Sequence, residues 1–183
     1  AHEAFRKMLD VAKEDATRIS AVTALTRIHV LQSRLDDLVA EFQRRIRNTP
    51  KKLAAYEELA VIYRESGQVS RGVEVLESGL NTVDDKNAAL RVLIRASFEA
   101  QDFPKVKSYF EQLIAGSGKP TPNEFERLGQ IYSQLGEIEK ARQVWSRIVT
   151  ESPKDPKAHD RLAQILREAG LTRADSEDNA RAG

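Results

Sequence analysis

The chain has 183 residues, of which 40% are hydrophobic and 31% charged, and its 29 basic residues nearly balance its 28 acidic ones. This near-neutral charge argues against a domain dedicated to nucleic-acid binding, which usually carries a clear excess of basic residues. The absence of cysteine excludes disulfides and cysteine-based metal sites, and no run of residues is apolar enough for a membrane-spanning helix.

Apolar residues recur at helical spacing from the beginning of the chain onwards. Residues 2–12 place Phe5, Met8 and Leu9 on one stripe, and residues 16–33 and 35–47 form a long helix followed by an amphipathic one. This order of two helices recurs three more times before a last single helix. The predicted segments are 53–66 with 69–83, 87–100 with 103–115, the two halves of 122–155, and finally 156–169.

Two columns of apolar residues keep a nearly constant period along these segments. The first column has steps of 34, 34, 35 and 34 residues and consists of Leu25, Leu59, Leu93, Leu128 and Leu162. The second has steps of 34, 34 and 35 residues and consists of Phe42, Leu76, Phe110 and Trp145. Such a period is typical of stacked repeats, because a single helix pair cannot bury its apolar face alone. We therefore predict an all-α fold built from stacked antiparallel helix pairs.

The connection between the two helices of a pair is predicted to be a tight turn. Gly67 and Gly136 occupy it in two pairs, and glycine is favoured there because the residue after a helix often adopts the left-handed conformation. Gln101 replaces the glycine in a third pair, so we expect a looser turn at that position. Gly72 and Gly79 lie inside a second helix, where they predict a close approach between helices.

Residues 122–155 resemble the tetratricopeptide repeat (TPR) family. The residues at the aromatic, small and turn positions of that family are Phe125, Leu128, Gly129, Tyr132, Gly136, Ala141, Trp145 and Pro153. Residues 53–86 keep part of the same pattern through Leu59, Tyr63 and Gly67. The resemblance covers residues 19–170 and implies a right-handed superhelical solenoid whose first helices line a partner-binding groove. It implies a scaffold without catalytic activity.

The repeat register also predicts how the chain is divided. We expect a partial helix of a preceding repeat at 1–15, TPR-like repeats at 16–52, 53–86 and 87–121, the best-matching repeat at 122–155, the first helix of a further repeat at 156–171, and a frayed or disordered tail at 172–183. Because the chain opens within the pattern, we expect it to be a piece of a longer protein, either cytoplasmic or periplasmic.

Five basic residues lie on the face of the first helices that the resemblance places in the groove: Arg91, Arg95, Arg127, Lys157 and Arg161. Their positions resemble those of the carboxylate clamp with which some TPR domains hold the C-terminal carboxylate of chaperones. Arg91, Lys157 and Arg161 agree in type with the basic residues of that clamp, whereas Arg95 and Arg127 replace asparagines. We hypothesise that the partner is a protein or peptide with an acidic segment.

Two other interpretations of this face follow from the sequence. The arginines could instead pair with carboxylates of the same chain, and the candidates are Glu99, Glu126 and Asp160. The N-terminal half of the face is more apolar and predicts a hydrophobic contact zone, which includes Thr23, Val30, Leu31, Val61 and Phe98.

No catalytic, metal or cofactor site is predicted. His2, His29 and His159 lie in separate units without the spacing of metal ligands, and we expect His159 to be partly buried by packing. The predicted function is a non-catalytic protein-interaction scaffold. A self-associating structural segment of a larger repeat protein is the alternative. A single-stranded RNA-binding helical repeat is less favoured, because such a groove would need more basic and aromatic residues.

Overall fold

The computed structural model describes residues 2–12, 14–116 and 120–171, and every regular element in these ranges is an α-helix. The all-α prediction is therefore confirmed. The helices are α1 (His2–Val11), α2 (Asp15–Leu31), α3 (Leu35–Asn48), α4 (Leu53–Glu65), α5 (Val69–Gly79), α6 (Lys86–Glu99), α7 (Phe103–Gly116), α8 (Pro122–Gln134), α9 (Ile138–Thr150) and α10 (Pro156–Glu168). The tail predicted at 172–183 lies outside the described residues.

The chain divides into two compact units, which we call unit 1 (Ala1–Tyr109) and unit 2 (Phe110–Gly183). In unit 1 the first helices of consecutive pairs contact each other, α2 with α4 and α4 with α6. The second helix of each pair also contacts the first helix of the next, α3 with α4 and α5 with α6. Each pair thus covers the apolar face of its neighbour, which is the packing of a helical repeat array.

The core of unit 1 contains the predicted leucine and aromatic columns. Leu25, Phe42, Leu59, Leu76 and Leu93 are all buried. Helix α1 packs on α2, and its Leu9 joins this core while Phe5 and Met8 contact it from its edge. The helical spacing of the apolar residues therefore corresponds to the faces that the helices bury.

In unit 2, α9 packs between α8 and α10. Helix α8 begins with a capping box, in which the Glu124 N–H donates to the Thr121 hydroxyl (3.3 Å) and the Thr121 N–H donates to the Glu124 carboxylate (2.8 Å). Leu128 of α8 is buried, as are Ala141, Trp145 and Ile148 of α9.

The turns that close the first helices share one hydrogen-bond pattern. At Gly136 the glycine N–H donates to the Ser133 carbonyl (3.0 Å) and the Glu137 N–H donates to the Tyr132 carbonyl (2.8 Å), which is a Schellman motif. The same pair of bonds closes four other first helices, and the central residue of each turn has a positive φ. These residues are Ser33, Gly67, Gln101 and Gly170.

The expectation of a looser turn at Gln101 is wrong. Gln101 adopts a φ of 56°, and the Asp102 N–H donates to the Ser97 carbonyl over 2.9 Å. The Schellman bonds join backbone groups only, so replacing glycine with glutamine changes the conformational cost of the turn and not its geometry.

This difference in cost predicts opposite effects of two substitutions. Gly136→Val should destabilise the protein by about 1–2 kcal/mol, because a Cβ is unfavourable in the left-handed conformation. No atom lies within 4 Å of the added Cβ, so steric overlap there adds nothing. Gln101→Gly should stabilise the protein by about 0.5–1 kcal/mol, since the strain relieved exceeds the extra entropy of glycine in the unfolded chain.

Urea unfolding of both variants and the wild type, followed by far-UV circular dichroism, measures this pair of effects. A neutral Gly136→Val together with a destabilising Gln101→Gly would contradict the left-handed turns.

Close helix contacts occur where the sequence predicted them. A Cβ added to Gly72 would lie 3.0 Å from the Ala60 carbonyl oxygen, and one added to Gly79 would lie 2.8 Å from the Tyr56 ring. In the best-matching repeat, a Cβ on Gly129 would overlap the indole ring of Trp145. Small residues on one helix therefore make room for the other helix of the pair.

Candidate peptide-binding surfaces

Unit 1 has an open pocket of about 580 Å³ bordered by α2, α4 and α6, with α5 beneath them. The floor of the pocket is apolar, because Ala60 and Val61 of α4, Leu76 of α5, and Val92 and Ala96 of α6 line it. Its volume falls within the range of roughly 300–1,000 Å³ that is usual for ligand pockets. The pocket can therefore hold more than one side chain of a partner.

Charged residues line the same pocket. Three of them are carboxylates, Asp15, Glu57 and Glu99, and two are guanidinium groups, Arg64 and Arg95. The guanidinium of Arg95 donates to the Glu57 carboxylate over 3.3 Å, and Arg64 lies 3.7 Å from Glu99. Burial raises the pKa of Glu57 above its ordinary value and the charge of Asp15 adds to the rise, whereas Arg95 opposes it. The lining has one more carboxylate than guanidinium group, so its net charge is negative.

Two of the predicted basic residues belong to unit 1, and both are exposed on α6. Arg91 and Arg95 lie four residues apart and therefore on the same side of this helix. The ion pair between Arg95 and Glu57 joins two first helices, as in the interpretation that assigns the arginines to contacts within the chain. The carboxylate that accepts from Arg95 is Glu57, which the sequence had not singled out.

The apolar residues predicted on this face differ in their exposure. Val61 is buried, whereas Val30 and Leu31 are exposed at the end of α2. Phe98 is also exposed and packs edge-on against Phe103, with ring centroids 5.7 Å apart. Thr23 is half-buried.

The other three predicted basic residues lie in unit 2. Arg161 of α10 donates to the Glu126 carboxylate over 2.7 Å and also to the Asn123 side chain, which brings this face of α10 beside α8. Arg127 follows Glu126 on α8, and Lys157 lies four residues before Arg161. Both are exposed, and neither forms an ion pair within the described ranges. We call Arg127, Lys157 and Arg161 the unit 2 basic cluster.

The residues predicted to have structural roles are placed mainly inside the helix pairs. Pro153 is exposed after α9, and Gly67 and Gly136 are exposed in the turns. The others are buried: Leu59, Tyr63, Leu128, Gly129, Tyr132, Ala141 and Trp145.

The histidines differ from one another. His29 is buried, and its Nδ1 lies 2.9 Å from the Leu25 carbonyl oxygen. His159 is exposed, so the expectation that packing would bury it is wrong. The aligned aromatic residue, Phe125 of α8, is covered by Arg147 of α9, the second helix of its own pair. His159 lies on α10, which contacts α9, the second helix of the preceding pair. In the part of the chain that the structure describes, no group of three or more potential ligands could hold a metal ion, and no helix is long and apolar enough to cross a membrane.

Residues 122–165 match the family model described as tetratricopeptide repeat. This segment is a tetratricopeptide repeat. The resemblance found in the sequence is thereby confirmed. No curated protein matches the chain significantly.

Solved structures of TPR proteins are similar to this chain over most of its length. TPR-like repeats assigned to a kinesin light chain of Podosopora anserina align with a TM-score of 0.55 and 18% identity over 91% of this chain and 93% of theirs. MamA from Desulfovibrio magneticus RS-1 aligns with a TM-score of 0.53 and 12% identity over 89% and 92%. A TPR protein of Parabacteroides merdae aligns with a TM-score of 0.51 and 15% identity over 93% of this chain and 66% of its own. At these identities the likeness shows the TPR fold alone, a fold that typically serves as a non-catalytic scaffold for protein or peptide partners.

Proposed function

We propose that this TPR chain is a non-catalytic protein-interaction module, and that its exposed basic residues select a partner with an acidic segment. The unit 2 basic cluster is the observation that supports this proposal best. Arg127 and Lys157 are exposed and form no ion pair among the described residues, whereas Arg161 donates to the Glu126 carboxylate and to the Asn123 side-chain oxygen. Because Arg127 and Lys157 form no ion pair among the described residues, their charges are available to attract an anionic ligand.

Glu126 competes with such a ligand for Arg161. A carboxylate of the partner that approaches Arg161 must displace the Glu126 side chain or share the guanidinium with it. In unit 1, an acidic segment that binds Arg95 would likewise have to displace Glu57. The competition within the chain predicts that removal of Glu126 strengthens binding.

The test uses a fluorescein-labelled hexapeptide of four glutamates and two glycines with a free C-terminal carboxylate. Lys157→Glu should weaken its binding to the whole chain by about fivefold, and Glu126→Gln should strengthen it by a similar factor, as expected for partly exposed ion pairs. Fluorescence anisotropy measures the dissociation constants. The affinity of the wild type should also fall as salt is added, because the charges are accessible to solvent.

Arg167→Glu provides a matched control for Lys157→Glu. It causes the same change in net charge on the same helix, but residue 167 is six positions from Arg161 and therefore points to another side of α10. The control should bind the peptide nearly as the wild type does. Equal losses for Lys157→Glu and Arg167→Glu would mean that only net charge matters, and unchanged binding in both would exclude the cluster as the binding surface.

A further inference from the structure

The pocket of unit 1 lies where the best-matching repeat places an indole ring. In that repeat the Trp145 ring covers Gly129, and its N–H donates to the Glu126 carbonyl over 3.0 Å. The residues 69 positions earlier in the repeat register are Leu76, Ala60 and Glu57. All three line the pocket.

This substitution of residues accounts for the cavity. Leucine is smaller than tryptophan, and the added methyl group of Ala60 relative to Gly129 replaces little of the missing indole. Gly72 also lines the pocket but leaves no extra space, because a Cβ there would lie 3.0 Å from the Ala60 carbonyl oxygen. The core of this repeat is therefore underfilled on the side that faces α6, whereas native cores are normally close-packed.

The charges around the opening of the pocket determine which charge is favoured beside a side chain of a partner that enters it. Both guanidinium groups of the lining are already engaged, Arg95 with Glu57 and Arg64 with Glu99. Asp15 is 85% exposed, and its contact with Arg18 is long, at 3.7 Å. A cation beside the inserted group would meet this accessible carboxylate, whereas an anion would be repelled by it.

We propose that the pocket receives an aromatic side chain of a partner protein that carries a lysine or arginine beside it. This inference rests on the proposed role as an interaction module, but it concerns unit 1 and a basic partner segment instead of the unit 2 basic cluster and an acidic one. The aromatic ring supplies the apolar contacts that Trp145 supplies in its own repeat, and the neighbouring cation faces Asp15 at the opening.

Two matched peptides test the proposal on the whole chain. They are N-acetyl-Gly-Trp-Lys-Gly-amide and N-acetyl-Gly-Trp-Glu-Gly-amide, which differ only in the charge beside the indole. Binding is followed by ¹⁵N–¹H correlation spectra, with the amides of residues 60, 72, 92 and 96 as reporters. The lysine peptide should shift these amides and bind about threefold to fivefold more tightly than the glutamate peptide.

A double variant closes the pocket with the packing that the protein itself uses. Ala60→Gly with Leu76→Trp reproduces the pair of Gly129 and Trp145, and it should abolish binding of the lysine peptide while helicity is retained. Ala96→Met narrows the pocket from α6 and should also weaken binding of the lysine peptide. This single variant tests the pocket even if the double variant does not fold. Val11→Ala is the control, since Val11 is 67% exposed and does not line the pocket.

The outcomes distinguish this inference from the proposed function. Loss of lysine-peptide binding in the pocket variants, but not in Val11→Ala, supports the pocket. Failure of both peptides to bind, a preference for the glutamate peptide, or binding that survives a folded double variant would overturn it. None of these results affects binding of the acidic hexapeptide to the unit 2 basic cluster, which is measured separately.

Discussion

Trp145→Ala should destabilise the protein by about 3–5 kcal/mol, the range usual for removing a large aromatic side chain from a core. Trp145 is 1% exposed and is one of the largest fully buried side chains in the described ranges. Its indole lies against Gly129, which has no side chain of its own to fill the space, and its N–H donates to the Glu126 carbonyl over 3.0 Å. The variant thus leaves a cavity and removes the donor from a backbone carbonyl.

Guanidinium chloride unfolding followed by far-UV circular dichroism measures the loss of stability. Trp145→Phe is the appropriate control, because it keeps most of the apolar volume and should lose less than Trp145→Ala. As the chain has one tryptophan, fluorescence of the wild type reports this site directly and should be blue-shifted in the folded state. Red, water-like emission from a helical protein, or a loss below about 1 kcal/mol for Trp145→Ala, would contradict this packing.

The fold could be predicted from the sequence because the residues that repeat at a constant period are large and apolar and must be buried. Leu25, Leu59 and Leu93 recur at one interval and are all buried, so the stacking of helix pairs follows from their spacing. The turns could be located in the same way. The left-handed conformation at Gln101 could not be predicted, because it depends on backbone hydrogen bonds that the identity of the side chain does not reveal.

The sequence predicted which basic residues lie on the first helices, but not which carboxylate each of them contacts. Arg95 was identified as exposed and basic, but its contact with Glu57 joins residues 38 positions apart. Contacts of this kind recur between first helices of neighbouring pairs, and the sequence contains their signal, a basic and an acidic residue about one repeat apart. Examples are Arg27 with Glu65 and Arg161 with Glu126, separated by 38 and 35 positions.

The pocket of unit 1 could not be predicted from residue types alone. A leucine in the aromatic column and an alanine in the glycine column each look like ordinary variation within a repeat. Only their combination leaves space, because Leu76 removes more volume than Ala60 adds. Cavities depend on such sums of side-chain volume, whereas periodic patterns record only which positions are apolar.

Gly129→Ala should destabilise the protein by about 3 kcal/mol, near the upper end of the range for overpacking a core. In an exposed helix the same change would stabilise by up to about 1 kcal/mol, so the sign itself distinguishes packing from helix propensity. The reason for the loss is that the added Cβ would overlap the indole of Trp145, which is buried and fixed by its bond to the Glu126 carbonyl. Thermal and guanidinium chloride unfolding measure the change.

The overlap also predicts that the two positions are energetically coupled. Gly129→Ala combined with Trp145→Leu recreates the pair that Ala60 and Leu76 form in the repeat 53–86. Alanine no longer meets an indole in the double variant, so its loss of stability should be smaller than the sum of the two single losses by about 1–2 kcal/mol. A double-mutant cycle measures this coupling. Additive losses would show that the cost of the alanine does not depend on the Trp145 indole, which would contradict the overlap between the two side chains.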